Sequence, residues 1–101
     1  TFFSIMDLGN TIKTIRKQKG IKQNSFAAIC DISQTYLSQI ENNLKDPNIS
    51  TLKTICINLN ISLPILFFLS IDEKDISPKK QHMFSLINPT LKTLVNELLN
   101  D

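Results

Sequence analysis

The chain has 101 residues, 42% of them hydrophobic, and a formal charge of +2, which suits one domain of ordinary size with a single small core and is too short for two. No run approaches the roughly 18 apolar residues of a membrane span. The Phe2-Phe3 stretch has neither a basic leader nor a small-residue cleavage site, so no signal peptide is expected, Met6 offers another start, and the protein is assigned to the cytoplasm.

Only two glycines occur, and apolar positions recur with a helical period, which predicts an all-α fold of five helices followed by one or two C-terminal helices. Helix one is expected over about Leu8 to Lys19, with Leu8, Ile12 and Ile15 facing inward and Gly20 ending it in the left-handed region. Helix two should run from Gln23 to about Cys30, with Phe26, Ala27 and Cys30 on its apolar face. Ile32 then plugs a sharp turn. Ser33 should cap helix three, over Gln34 to Asn42, whose Leu37 and Ile40 face inward. Ser50 is the expected cap of helix four, with Leu52, Ile55, Cys56 and Leu59 buried. Ser62 should cap a fifth helix with Pro64 in its first turn, and its run Ile65 to Leu69 is apolar nearly all round.

Beyond Ile71 a charged connector, Asp72-Glu73-Lys74-Asp75, leads to Ser77-Pro78, a helix cap and first turn. Phe84, Ile87, Leu91, Leu94 and Leu98 have the 3-4-3-4 spacing of a helix seam. Asn88-Pro89 interrupts it, so two helices or one kinked helix are expected, with Asn88 as a cap and Pro89 at the first helical position.

The span Gln23 to Glu41 reads as two short helices meeting at a sharp turn, a helix-turn-helix. The outward face of its second helix, with Gln34, Thr35, Ser38 and Gln39, is uncharged and rich in hydrogen-bonding groups suited to base edges in a DNA major groove. Charge is placed to match. Between Leu8 and Ile71 there are seven basic and three acidic residues, whereas residues 72 to 101 hold four basic and five acidic ones, so the positive field lies with the motif. Cys30 and Cys56 sit in apolar patterns without a CxxC, and His82 stands alone, so buried reduced thiols are expected, with neither metal nor cofactor. No nucleophile-base pair, carboxylate dyad or phosphate-binding glycine loop suggests an enzyme.

Residues 8 to 67 resemble the small all-helical DNA-binding domain of the phage repressor and Cro family. Gly20-Ile21-Lys22-Gln23 is similar to that family's glycine turn and the glutamine opening its second helix. Ser33 to Asn42 is similar to its recognition helix, and Pro47 followed by Ser50-Thr51-Leu52 resembles the entry to its fourth. Where the family has glycine beyond a helix, this chain has Asp31, Asn43 and Asn60, the residue types that best tolerate the left-handed conformation. The resemblance implies a five-helix repressor-like bundle. It further implies that Gln23 holds a phosphate at a helix N-terminus, that Gln34, Thr35, Ser38 and Gln39 read bases, and that Arg16 and Glu41 pair to orient the recognition helix. Tyr36, Asn43 and Lys45 flank the groove as further phosphate candidates.

The domain division expected is a DNA-binding unit over 8–69 and a helical extension over 70–101. One such unit contacts one half-site, so operator binding calls for two copies about 34 Å apart. Phe67, Phe68, Phe84, Ile87, Leu91, Leu94 and Leu98 are the candidate homodimer surface; the competing reading folds the C-terminal helices back over helix five within one chain. The functional expectation is a homodimeric, sequence-specific transcriptional regulator of double-stranded DNA, without enzymatic activity. Phage-type repressor, restriction-modification controller and antitoxin stay open within it, and a helical protein-interaction module that has lost DNA binding is the alternative.

Overall fold

The computed structural model describes residues 7–71 together with 86, 88–90, 92, 93, 96 and 97. Five helices come in order: α1 (Leu8–Gln18), α2 (Gln23–Ile29), α3 (Gln34–Glu41), α4 (Ile49–Leu59) and α5 (Leu63–Ser70). Each lies within one or two residues of its expected bounds. One core serves all five, centred on Ile12, Phe26, Leu37, Ile40, Leu52, Ile55, Leu59 and Leu66, none more than 1% exposed. Burying each such side chain stabilises the fold by about 1.5–3 kcal/mol. Ile21, Ile32, Tyr36, Leu63, Phe67 and Leu69 pack around it as half-buried neighbours.

Four successive helices stop by the same device. Gly20, Asp31, Asn43 and Asn60 all have φ between 58° and 71°. In each case the following residue's N–H reaches back five positions: Ile21 to Arg16 O, Ile32 to Ala27 O, Leu44 to Gln39 O and Ile61 to Cys56 O, at 2.8–3.2 Å. This closes the last turn and satisfies carbonyls that would otherwise lack partners. The apolar residue that follows the left-handed one then turns inward at Ile21, Ile32 and Ile61, which ties helix termination to core formation. Leu44 breaks the rule and stays 74% exposed.

Ser33 and Ser62 cap α3 and α5 as expected, accepting from Tyr36 N at 3.0 Å and Ile65 N at 3.4 Å. The cap of α4 is different. Asn48 Oδ1 accepts from Thr51 N at 2.8 Å, so Ser50 lies inside the helix, where its carbonyl accepts from Thr54 Oγ1. Asparagine is at least as good a cap as serine, and the earlier start leaves Leu52, Ile55, Cys56 and Leu59 buried as expected.

In the C-terminal segment Leu86 and Asn88–Thr90 are helical. Asn88 is therefore itself helical and not a flanking cap, and it is 8% exposed. Phe84, Ile87, Leu91, Leu94 and Leu98, the rest of the expected seam, lie outside the described residues. Among those described, no single helix is long and apolar enough to cross a membrane, and no group of three or more His, Cys, Asp and Glu could hold a metal ion.

Both cysteines are buried free thiols. Burial raises the pKa of Cys30, opposed by a hydrogen bond with Asn58, and pushes Cys56 from 9.0 to about 11. Both should resist a thiol-exchange reagent at pH 8 until the chain is unfolded by denaturant; rapid labelling of the native protein would contradict this. Below pH 9 Cys56 is protonated in both states and adds no pH dependence. Between pH 9 and about 11 the unfolded chain releases a proton that the folded chain keeps, so stability falls as pH rises.

Candidate nucleic-acid interface

A buried ion pair organises the site. Arg16 on α1 and Glu41 at the end of α3 are 5% and 3% exposed. Arg16 donates from Nε to Glu41 Oε2 at 2.8 Å and from a terminal nitrogen to Glu41 Oε1 at 3.0 Å, the two-pronged geometry that a guanidinium offers a carboxylate. Its other terminal nitrogen donates to Ile21 O at 2.7 Å. One side chain thus joins α1, α3 and the turn into α2.

From Glu41 the network runs outward. Gln23 at the start of α2 donates from Nε2 to Glu41 Oε1 at 3.1 Å. Gln34, the first residue of α3, donates from Nε2 to Gln23 Oε1 at 3.3 Å. A chain of polar contacts therefore links a buried charge pair to an exposed glutamine amide. Among the described residues, Gln34 retains its carbonyl oxygen and its second amide hydrogen for other partners.

The outward face of α3 is open as expected. Gln34 and Thr35 are exposed, and Ser38 and Gln39 are half-buried. Leu37 and Ile40 of the same helix are in the core, so the helix is held firmly from beneath. Ser38 Oγ accepts weakly from Asn42 Nδ2 at 3.4 Å, and Gln39 O receives the Leu44 N–H. Tyr36 rests partly on the core, with no hydrogen bond to its hydroxyl among the described residues. Lys45 is exposed just past the end of α3.

Two expected phosphate candidates have their amides occupied within the protein. Gln23 is held by Glu41 and Gln34, as above. Asn43 accepts from Gly9 N at 2.9 Å and donates to Asp7 Oδ1 at 2.7 Å, tying the end of α3 to the start of α1. Sequence reasoning missed Gly9 entirely. A Cβ there would overlap Ile40 O and stand 2.7 Å from Asn43 Oδ1 and 2.8 Å from Glu41 O, so α3 meets α1 at a point where no side chain fits. A glycine in the first turn of a predicted helix, where few turns require one, was the available signal.

A helix-turn-helix family model matches residues 12–66, more than half of the chain. The chain belongs to the helix-turn-helix family. The matched span contains Arg16, Gln23, the whole of α3 and Glu41. Among relatives, the ImmF control region 10 kDa protein of Bacillus phage phi105 is 44% identical over 59 residues, 58% of this chain and 66% of that protein. The control protein C.MunI of Mycoplasma sp is 42% identical over 60 residues, 58% of this chain and 81% of that protein. The chain thus spans slightly under two thirds of the phage protein's length. Among solved structures, the restriction-modification controller protein C.Esp1396I superposes with a TM-score of 0.59 at 31% identity, covering 66% of this chain and 87% of that one.

Proposed function

We propose that this chain is a sequence-specific DNA-binding transcriptional regulator of the repressor or controller kind, acting as a homodimer and without enzymatic activity. The observation that carries the reading is the relay from Arg16 through Glu41 and Gln23 to Gln34, which presets a base-reading amide on an exposed, rigidly packed helix. In a major groove Gln34 donates to adenine N7 and accepts from its N6 amine, and Thr35 packs its methyl on a thymine methyl. Ser38 and Gln39 reach the neighbouring bases or backbone. Gln23, Tyr36, Asn43 and Lys45 form the phosphate-facing rim; of these, Tyr36 and Lys45 have side-chain groups without a hydrogen bond among the described residues. The names of the relatives, a phage control region protein and restriction-modification controllers, agree with this class.

Selection of bound sequences from random DNA at a stated salt concentration tests the reading. An enriched inverted repeat, with half-sites about 34 Å apart, is expected; a pool with no enrichment would overturn it. Against the selected operator, Gln34→Ala should lose about 1–3 kcal/mol and relax one base position. Equal losses on every operator variant would make Gln34 a backbone contact instead.

For the dimer, Phe67, Phe68 and the C-terminal leucines are the proposed surface. Light scattering at micromolar concentration should report twice the 11.5 kDa chain mass, and a well-folded strict monomer would refute it.

A further inference from the structure

Asn88, Lys92 and Asn96 each lie in a helical segment, and with Asn10, Thr11 and Gln18 of α1 they line a cleft. Helices packed against each other usually meet through apolar side chains. Among the described residues, polar side chains face one another here beside Ile15, Leu69 and Ile71, and no hydrogen bond among the described residues crosses between them. Such a seam is suited to a small polar molecule that supplies the missing partners. Asn88 gives the clearest sign: it is 92% buried, lines the cleft, and its Oδ1 has no hydrogen-bond partner among the described residues. An acceptor left so is costly unless a donor arrives.

The cleft has two adjoining parts of about 350 and 240 Å³ that share Asn10, Thr11, Leu69 and Lys92, the larger of which reaches the lower end of the size range of small-molecule sites. Charge is arranged along it. Asp7 lines only the larger part, at the Asn88 end; Gln18 and Asn96 line only the smaller part; Lys92 lies at the junction. Lys92 has no carboxylate partner among the described residues. Asp7 uses Oδ1 to accept from Asn43 and from Asn10 N, and among the described residues Oδ2 has no hydrogen-bond partner. A carboxylate and an orphaned acceptor at one end call for a cationic donor, and the lysine calls for an anion.

We propose that this cleft binds a free amino acid with a polar side chain. Its ammonium sits between Asp7 and Asn88 Oδ1, its carboxylate meets Lys92, and its side chain extends towards Gln18 and Asn96. The site is separate from the α3 face and does not depend on the DNA-binding reading. Titrating the full chain with L-glutamine, followed by amide NMR, should give saturable shifts at Thr11 and Ser70. Lys92→Met, a half-buried position, should weaken binding about tenfold or more through loss of a charge-assisted contact, whereas Lys53→Met on the exposed side of α4 should leave it unchanged. With the native protein, 4-carbamoylbutanoate, which lacks only the α-ammonium, should bind equally less well. No saturable shift, an unchanged affinity in Lys92→Met, or equal binding of the ligand without its ammonium would each overturn the proposal.

Discussion

Glu41→Ala should lower unfolding stability by about 3–5 kcal/mol, because it leaves the Arg16 guanidinium buried without its counter-charge. A domain of this size has about 5–15 kcal/mol in total, so the variant sits near the edge of folding. Thermal or urea denaturation followed by circular dichroism measures it. Arg16→Ala should fall in the same range, since it strands the carboxylate instead and removes the contact to Ile21 O. The double variant Arg16→Met with Glu41→Leu should recover much of the loss, because apolar side chains of similar volume avoid the desolvation that the ion pair incurs. Its DNA affinity should not recover. Without Glu41, Gln23 loses the acceptor at 3.1 Å that holds it against Gln34. A double variant as unstable as either single one would show that the pair contributes by geometry that apolar packing cannot replace. A stable double variant with native operator affinity would remove the relay from the mechanism.

Gly9→Ala should destabilise the protein by roughly 1–3 kcal/mol, although the same change at an unobstructed helical position stabilises, by up to about 1 kcal/mol. The reversal of sign is the diagnostic. The new methyl group would meet Ile40 O, Asn43 Oδ1 and Glu41 O together. Two of these are main-chain atoms of α3, so relief requires the helix itself to move away from α1. That displacement would also stretch the Asn43 contacts to Gly9 N and Asp7 and the Arg16–Glu41 pair. Gly20→Ala is the matching control, since nothing stands within 4 Å of a Cβ there and its cost comes from φ of +71° alone, about 1–2 kcal/mol. A Gly9→Ala protein as stable as the parent would mean that the two helices separate without penalty.

Much of the fold was legible because its signals are local. Ser33 and Ser62 announce caps through short-range hydrogen bonding. Gly20, Asp31, Asn43 and Asn60 announce helix ends, since few residue types enter the left-handed region cheaply, and all four do so. Periodicity assigned Ile12, Phe26, Leu37 and Leu52 to the core. The α4 cap was misassigned to Ser50 because Asn48 offers the same chemistry two residues earlier, and local pattern does not rank two adequate caps. Asn88 was misread for a related reason: Asn-Pro marks a helix start in isolation, whereas here Asn88 is itself helical and buried.

By itself the sequence determined the helix-turn-helix, the uncharged outward face of α3 and the apolar stripes that bury the other faces, because each follows from residue spacing along a single helix. Tertiary structure alone decided how the interior end of that motif is wired. Gln23 lies 18 residues from Glu41 and Asn43 lies 34 from Gly9, and no local pattern says whether an amide at such a position faces a phosphate or a neighbouring helix. Those contacts depend on how closely α1 and α3 approach, and that distance is set by a side chain that Gly9 does not have.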